Sequence, residues 1–373
     1  MLWAGISSKT VLTCNLDKFR AKGMEKNKFI IQCGIGLSLV MCSALGHAQI
    51  EGQYFAHKDW EVACDNTGTC RVAGYQAEQQ SSIISVLLQR VAGAQSKLSA
   101  RVKIDATALD GVQSALQFYK DGKPQGWINI NPKTGEGVLD ASQTEQLLTA
   151  LQGTKPVLWG SGKQRWQLSV DGASAVLLRM DDFQRRIGTN SATLRKGKTA
   201  SDQVLKAQEM PKVNIQHYQK GMQSRYSVHS KTAKQLYVQL KKQVKASDCP
   251  LIFEQNFMEG DRVIAYPINE QNLLLEIPCW RAAYNYGNGY WLMDRQLKQV
   301  KQLVTVSGNS FSEGQIFANQ RGRGIADCNS TTEWAWNGSR FVLSYRARTV
   351  QCKGFIGGAW ALPTWVTTVQ QGV

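Results

Sequence analysis

Residues 24–48 read as an export signal, and that feature decides which other residues take part in a fold. Met24-Glu25-Lys26-Asn27-Lys28 is short and net positive. Residues 29–45 are apolar and uncharged, with Gln32 and two serines as the polar interruptions. Gly46-His47-Ala48 then puts small residues at the two positions a signal peptidase reads. The mature chain is expected to begin near Gln49, with residues 1–23 an upstream extension and Met24 the true start. The apolar run is about 17 residues, the lower limit for a spanning helix, so an uncleaved anchor is the rival reading. Lipidation at Cys42 fits poorly behind Met41. No later apolar stretch is long enough to cross a bilayer, so a periplasmic or secreted protein is expected, with no transmembrane segment after cleavage.

Export sets the redox state. Of nine cysteines, Cys14, Cys33 and Cys42 fall in the removed part, which leaves Cys64, Cys70, Cys249, Cys279, Cys328 and Cys352. An even number in an exported chain reads as disulfides, with about 15 connectivities open. Chain order suggests 64–70, 249–279 and 328–352, which keeps each loop short. A zinc site is the rival, but no C-x-x-C pair exists and only His57 lies near a cysteine. No metal and no cofactor are expected.

The formal charge of +16 is unevenly spread. Residues 195–245 hold 12 basic and 2 acidic side chains, whereas 49–194 and 246–373 are each near neutral. The chain therefore reads as an N-terminal α+β domain (49–194), a basic linker (195–245) and a C-terminal β-rich domain (246–373). The linker includes a helix expected over 230–244. A basic segment attracts polyanions in a salt-dependent way. Outside the cytoplasm nucleic acid is not the expected partner; anionic envelope polymers or lipids, or an envelope protein, are. A solvated linker is the plainer reading.

Local patterns give the fold class: α+β, β-rich, in two disulfide-stapled domains, the C-terminal one mostly antiparallel β. Trp60-Glu61-Val62-Ala63-Cys64, a turn at 65–69 and Cys70-Arg71-Val72 make a hairpin. Further strands are expected at 83–90, 98–104 and 115–120. Ser142-x-x-Glu145 reads as a capping box before a helix ending at Gly153. Val176, Met180, Phe183 and Ile187 recur at helical spacing up to Gly188, with Arg179, Asp182 and Arg186 on the opposite face. Trp334, Trp336, Phe341, Leu343 and Tyr345 alternate on either side of Asn337-Gly338, a strong two-residue hairpin signal. Cys328 and Cys352 flank it unequally, so their bond needs a bulge or a third strand.

Several motifs together resemble a known set. Lys58-Asp59-Trp60 with Cys64-Asp65-Asn66 and Cys70, Arg321-Gly322-Arg323-Gly324 before Asp327-Cys328, Trp336-Asn337-Gly338, and the ending with Trp360 and Trp365 are similar to the exported bacterial family called domain of unknown function 1176. Residues 49–194 also distantly resemble the invasion-associated locus B proteins. The resemblance implies a periplasmic or surface location, a β-rich fold and stabilising disulfides. It brings no catalytic residues, and the Lys-rich linker departs from the blander stretch expected there.

No catalytic set is readable. Gly160-Ser161-Gly162 and Ala173-Ser174-Ala175 fall short of G-x-S-x-G. His57, His217 and His229 have no evident partner, and Asp181-Asp182 reads as a solvated helix surface. Two features rise above background. Arg321 and Arg323, with Lys241 and Lys242 in the basic helix, are candidate anion-binding residues. Tyr284, Tyr286, Tyr290 and Trp291 are a candidate aromatic stacking surface, with core packing the plainer reading. The expected function is a non-enzymatic binding or structural role in the envelope. The alternatives are a cell-wall or polysaccharide hydrolase with a dispersed acid/base pair, and a lysozyme-inhibitor-like protein.

Overall fold

The computed structural model describes residues 50–105, 114–216, 218 and 221–372. The expected signal and upstream extension at 1–48 lie outside the described residues, as does His217. Ala48–Val373 forms one compact unit.

Its first part contains β1 (Gln53–His57), β2 (Trp60–Cys64), β3 (Cys70–Tyr75), β4 (Ile84–Arg90), β5 (Ser99–Ile104), β6 (Ala115–Lys120), β7 (Lys123–Asn129) and β8 (Glu136–Leu139). Then come α1 (Ala141–Ala150), β9 (Val157–Ser161), β10 (Gln164–Leu168) and α2 (Ala173–Phe183). Strands β1 to β5, closed by β8, form a six-stranded antiparallel sheet, and β10-β9-β6-β7 form a second of four. Side chains alternate across a strand. Val62, Val72, Leu88 and Ala100 share one face and enter the main core with Phe118, Trp159 and Trp166. Ala63, Ala73 and Leu87 share the other face and meet Phe355, Trp360 and Leu362 from the chain's end. The sheet is thus covered on both sides, which is why β2 is buried throughout. Trp60 lies flat over Gly74, where a Cβ would come within 2.4 Å of the indole.

Two helix readings need correction. The capping box sits two residues earlier than Ser142-x-x-Glu145: Asp140 Oδ1 accepts from the Gln143 amide at 2.8 Å, and Gln143 Oε1 from the Asp140 amide at 3.1 Å. α2 stops at Phe183, short of Gly188, because the chain turns through a left-handed Arg185. Arg186 is consequently buried rather than on a helix surface, and donates to Ser191 Oγ at 2.8 Å. Asp181 is buried too: it accepts from Arg90 Nη2 at 2.6 Å and from the Thr193 amide at 2.7 Å, while Asp182 stays exposed beside Arg179.

The second part contains β11 (Lys212–Ile215), β12 (Ser224–Ser227), α3 (Lys231–Leu240), α4 (Pro250–Glu254), β13 (Arg262–Asn269), β14 (Asn272–Arg281), β15 (Tyr286–Asp294) and β16 (Val300–Gly308). It ends with β17 (Ser310–Ser312), β18 (Gln315–Arg321), β19 (Asn329–Trp336), β20 (Phe341–Thr349), β21 (Pro363–Trp365) and β22 (Thr368–Gln371). β12 to β16 and β17 to β21 are two five-stranded antiparallel sheets, and β11 pairs β22 in parallel. α3, capped by Ser230, buries Ala233, Leu236, Tyr237 and Leu240 against the β12–β16 sheet. Trp336 pairs Phe341, so the β19–β20 loop has four residues rather than the two of an Asn-Gly turn. Asn337 Oδ1 accepts from the amides of Ser339 and Arg340 at 3.1 and 3.0 Å and closes it.

The cysteines pair as 64–70, 249–279 and 328–352. Cys64 and Cys70 stand opposite each other in β2 and β3. The unequal flanks of Cys328 and Cys352 are accommodated by a register shift at Glu333/Trp334 and by the chain beyond Thr349, where β20 has ended and Cys352 turns back to Cys328. After β20 the chain returns to the first sheet. There the buried Glu61 carboxylate accepts from the hydroxyls of Tyr54, Tyr75 and Thr349 and from the Val350 amide.

Candidate binding surface

β18 ends at Arg321 and runs into Gly322-Arg323-Gly324-Ile325; β14 and β15 are joined through Ala282, Ala283, Tyr284 and Asn285. Asn285 locks the two together. Its Nδ2 donates to the Arg321 carbonyl and its Oδ1 accepts from the Arg321 amide, both at 2.8 Å. Tyr284 lies over Gly324, whose Cβ position is 3.6 Å from the ring. A third loop, Gly354-Phe355-Ile356-Gly357-Gly358, closes on the first through the Gly357 amide, 3.0 Å from the Ile325 carbonyl. The arginine loop and the tyrosine turn, separate in sequence, are therefore one surface. Tyr284 (63 % exposed), Tyr286 (47 %), Ile325 (44 %) and Ile356 (81 %) face solvent there.

The two arginines differ in state. Arg323 is forked onto Asp327, with Nε 2.7 Å from Oδ1 and Nη2 on Oδ2, and Nη2 also donates to the Cys352 carbonyl at 3.0 Å. Asp327 is buried and takes a further bond from the Gly354 amide at 2.6 Å. Burial opposes its charge, but Arg323 and the Gly354 amide outweigh it and hold the carboxyl below its usual range. Arg321 is exposed and, among the described residues, has no carboxylate within ion-pair distance. Asp327, Cys328 and Cys352 are the one group of three potential metal ligands among the described residues. Both sulfurs are spent in the disulfide and the carboxylate on Arg323, so this group as it stands does not offer a metal site.

The remaining sequence candidates lie elsewhere. Tyr290 and Trp291 are fully buried in the β12–β16 sheet, so they share no exposed face with Tyr284 and Tyr286. Lys241 and Lys242 follow the last turn of α3, where Gln239 bonds the Leu297 carbonyl at 3.3 Å. Leu297 lies beyond the far end of β15 from Tyr286, so these lysines sit away from Arg321. Lys241 stands over the Phe253 ring at 5.2 Å. His57 stacks on Phe55, and His229 meets Phe257 edge-on. Sequence reasoning missed Asn285, Ile325 and Ile356. An isoleucine bracketed by glycines was the one available signal.

Comparison with known proteins agrees with the motifs. Relatives include the "Uncharacterized protein YpfG" of Escherichia coli (strain K12), 23% identical over 339 residues, covering 84% of this chain and 92% of that protein. Among solved structures, invasion associated protein B of Bartonella henselae matches with a TM-score of 0.27 at 16% identity, over 36% of this chain and 99% of that one. The family described as "Protein of unknown function (DUF1176)" matches residues 54–367, nearly all of the described chain, and the chain belongs to it.

Proposed function

We propose that this is an exported, non-enzymatic binding protein of the bacterial envelope, and that it holds anionic envelope material at the surface formed by Tyr284, Tyr286, Arg321 and Ile325. The observation that carries this reading is the Asn285 clamp, which fixes the Arg321 backbone beside the turn that carries Tyr284 and leads into Tyr286, with the Arg321 side chain exposed and, among the described residues, without a carboxylate in ion-pair distance. A free cation on a fixed backbone, close in the fold to exposed tyrosines, suits an anion attached to a larger body. The +10 stretch at 195–245 adds long-range attraction. Disulfides, and the absence among the described residues of any helix long and apolar enough to cross a membrane, are compatible with export.

The test is co-sedimentation of oxidised protein with purified lipopolysaccharide and with cell-wall sacculi, at low and high salt. Salt-sensitive pelleting that Arg321→Gln weakens supports the reading. Pelleting that Arg321→Gln leaves unchanged would move the site off this surface, and no pelleting at either salt would sink the envelope-binding reading altogether.

A further inference from the structure

The third loop of this surface presents an aliphatic side chain to water on a rigid support. Phe355 is buried against the first sheet, near Ala63, Tyr75 and Leu87. The next residue, Ile356, is 81 % exposed. Its direction is fixed. Gly354, Gly357 and Gly358 adopt φ of 92°, 77° and 99°, which L side chains rarely take, and the Gly358 amide bonds the Phe355 carbonyl at 2.8 Å. Asn329 Nδ2 holds the Gly357 carbonyl at 3.3 Å, and the Cys328–Cys352 bridge ties the loop's base. Ile325 stands alongside through the Gly357–Ile325 bond, with Tyr284 over Gly324 and Arg321 next to it.

An aliphatic tip, a rim of tyrosines and a guanidinium with no acidic partner among the described residues match the layers of a phospholipid interface. The tip meets acyl chains, the phenols sit at headgroup level and the cation meets phosphate. A polysaccharide, by contrast, is met by flat rings and paired hydrogen bonds, and branched aliphatic tips add nothing to that. We infer that these loops dock on an anionic phospholipid surface, with Ile356 and Ile325 entering its apolar edge. This rests on the binding surface proposed above and names its partner.

The experiment is sedimentation of oxidised protein with vesicles of phosphatidylglycerol, with vesicles of phosphatidylcholine and with sacculi, for the parent, Ile356→Ser and Arg321→Gln. Near-ultraviolet circular dichroism confirms that each variant is folded. The expected result is pelleting with phosphatidylglycerol, weakened about tenfold by Ile356→Ser at low and high salt alike, while Arg321→Gln reduces the salt sensitivity. If Ile356→Ser pellets like the parent while Arg321→Gln does not, insertion is refuted and the anionic-surface reading survives. Pelleting with sacculi and not with vesicles overturns the lipid partner in the same way. No pelleting with any of the three overturns both.

Discussion

Replacing Glu61 by alanine is the sharpest test of how the chain's end is held to its beginning. The carboxylate is fully buried and serves four donors: Tyr54, Tyr75 at 2.7 Å, Thr349, and the Val350 amide at 3.1 Å. Two of them lie on the first sheet and two at the end of β20, some 288 residues away. Alanine removes both carboxylate oxygens at once and leaves the Val350 amide only the Tyr54 hydroxyl at 3.2 Å. Tyr54 is half-buried and can turn to water, but Tyr75 and Thr349 are 2 % and 7 % exposed and cannot. A buried donor left unsatisfied costs about 1–3 kcal/mol, and bonds to a charged acceptor lie at the upper end. Two such donors, plus a partly exposed amide, give an expected loss of about 3–5 kcal/mol. Glutamine keeps one acceptor and turns an NH2 toward donors, so it should cost less, about 1–3 kcal/mol. Equilibrium unfolding in guanidinium, read from the midpoint at constant slope, measures both. A loss below about 1 kcal/mol for Glu61→Ala would show that the four donors find other acceptors, and the reasoning would fail.

Three further expectations concern the same framework. Cys328→Ala with Cys352→Ala opens a loop of sequence separation 24, which chain entropy puts at about 3–4 kcal/mol; an unchanged thermal midpoint would contradict it. Asp181→Ala strands Arg90 without its carboxylate in the first part's core, and removing one partner of a buried pair costs about 3–5 kcal/mol, readable in the same guanidinium titration. Burial, then the Glu61 charge, raises the Tyr75 hydroxyl well above its ordinary value. A raised folded pKa gives stability that is fully present below about pH 10 and is lost as pH climbs beyond it. The alkaline decline should therefore be shallower in Tyr75→Phe, and an equal slope would remove Tyr75 from the account.

Much of the framework was legible in the sequence. The three disulfides follow chain order, because short hairpins and a single helix-to-strand link bring neighbouring cysteines together. The β2–β3 hairpin and the aromatic β19–β20 ladder follow from alternation and turn residues. What failed depended on tertiary context. Asp181 reads as solvated by type and position, but the chain after α2 folds back and buries it beside Arg90. Asp140 and Ser142 are both acceptable cap residues, and spacing alone does not choose between them. Tyr284, Tyr286, Tyr290 and Trp291 form one cluster in sequence, yet the exposed end of β15 passes through it, leaving Tyr284 in the turn and Tyr286 at the strand's start exposed, and the other two in the core. The surface itself depends on Asn285 meeting Arg321 across 36 residues, a contact that no local periodicity encodes.

The two arginines of Arg321-Gly322-Arg323-Gly324 look equivalent in sequence, and the structure gives them opposite tasks. Arg323 neutralises a buried carboxylate and so joins its own loop to Gly354 and the Cys352 carbonyl. Drawing it onto an external anion would strand Asp327, and uncompensated buried charge is costly. Arg321 has no such obligation; its backbone is fixed by Asn285 while its head group stays in solvent. One arginine makes the support rigid, and the other is left to act from it. A bound anion at this surface should therefore depend on Arg321 directly and on Arg323 through the order of the loops. That difference separates the charge that binds from the charge that holds the binder in place.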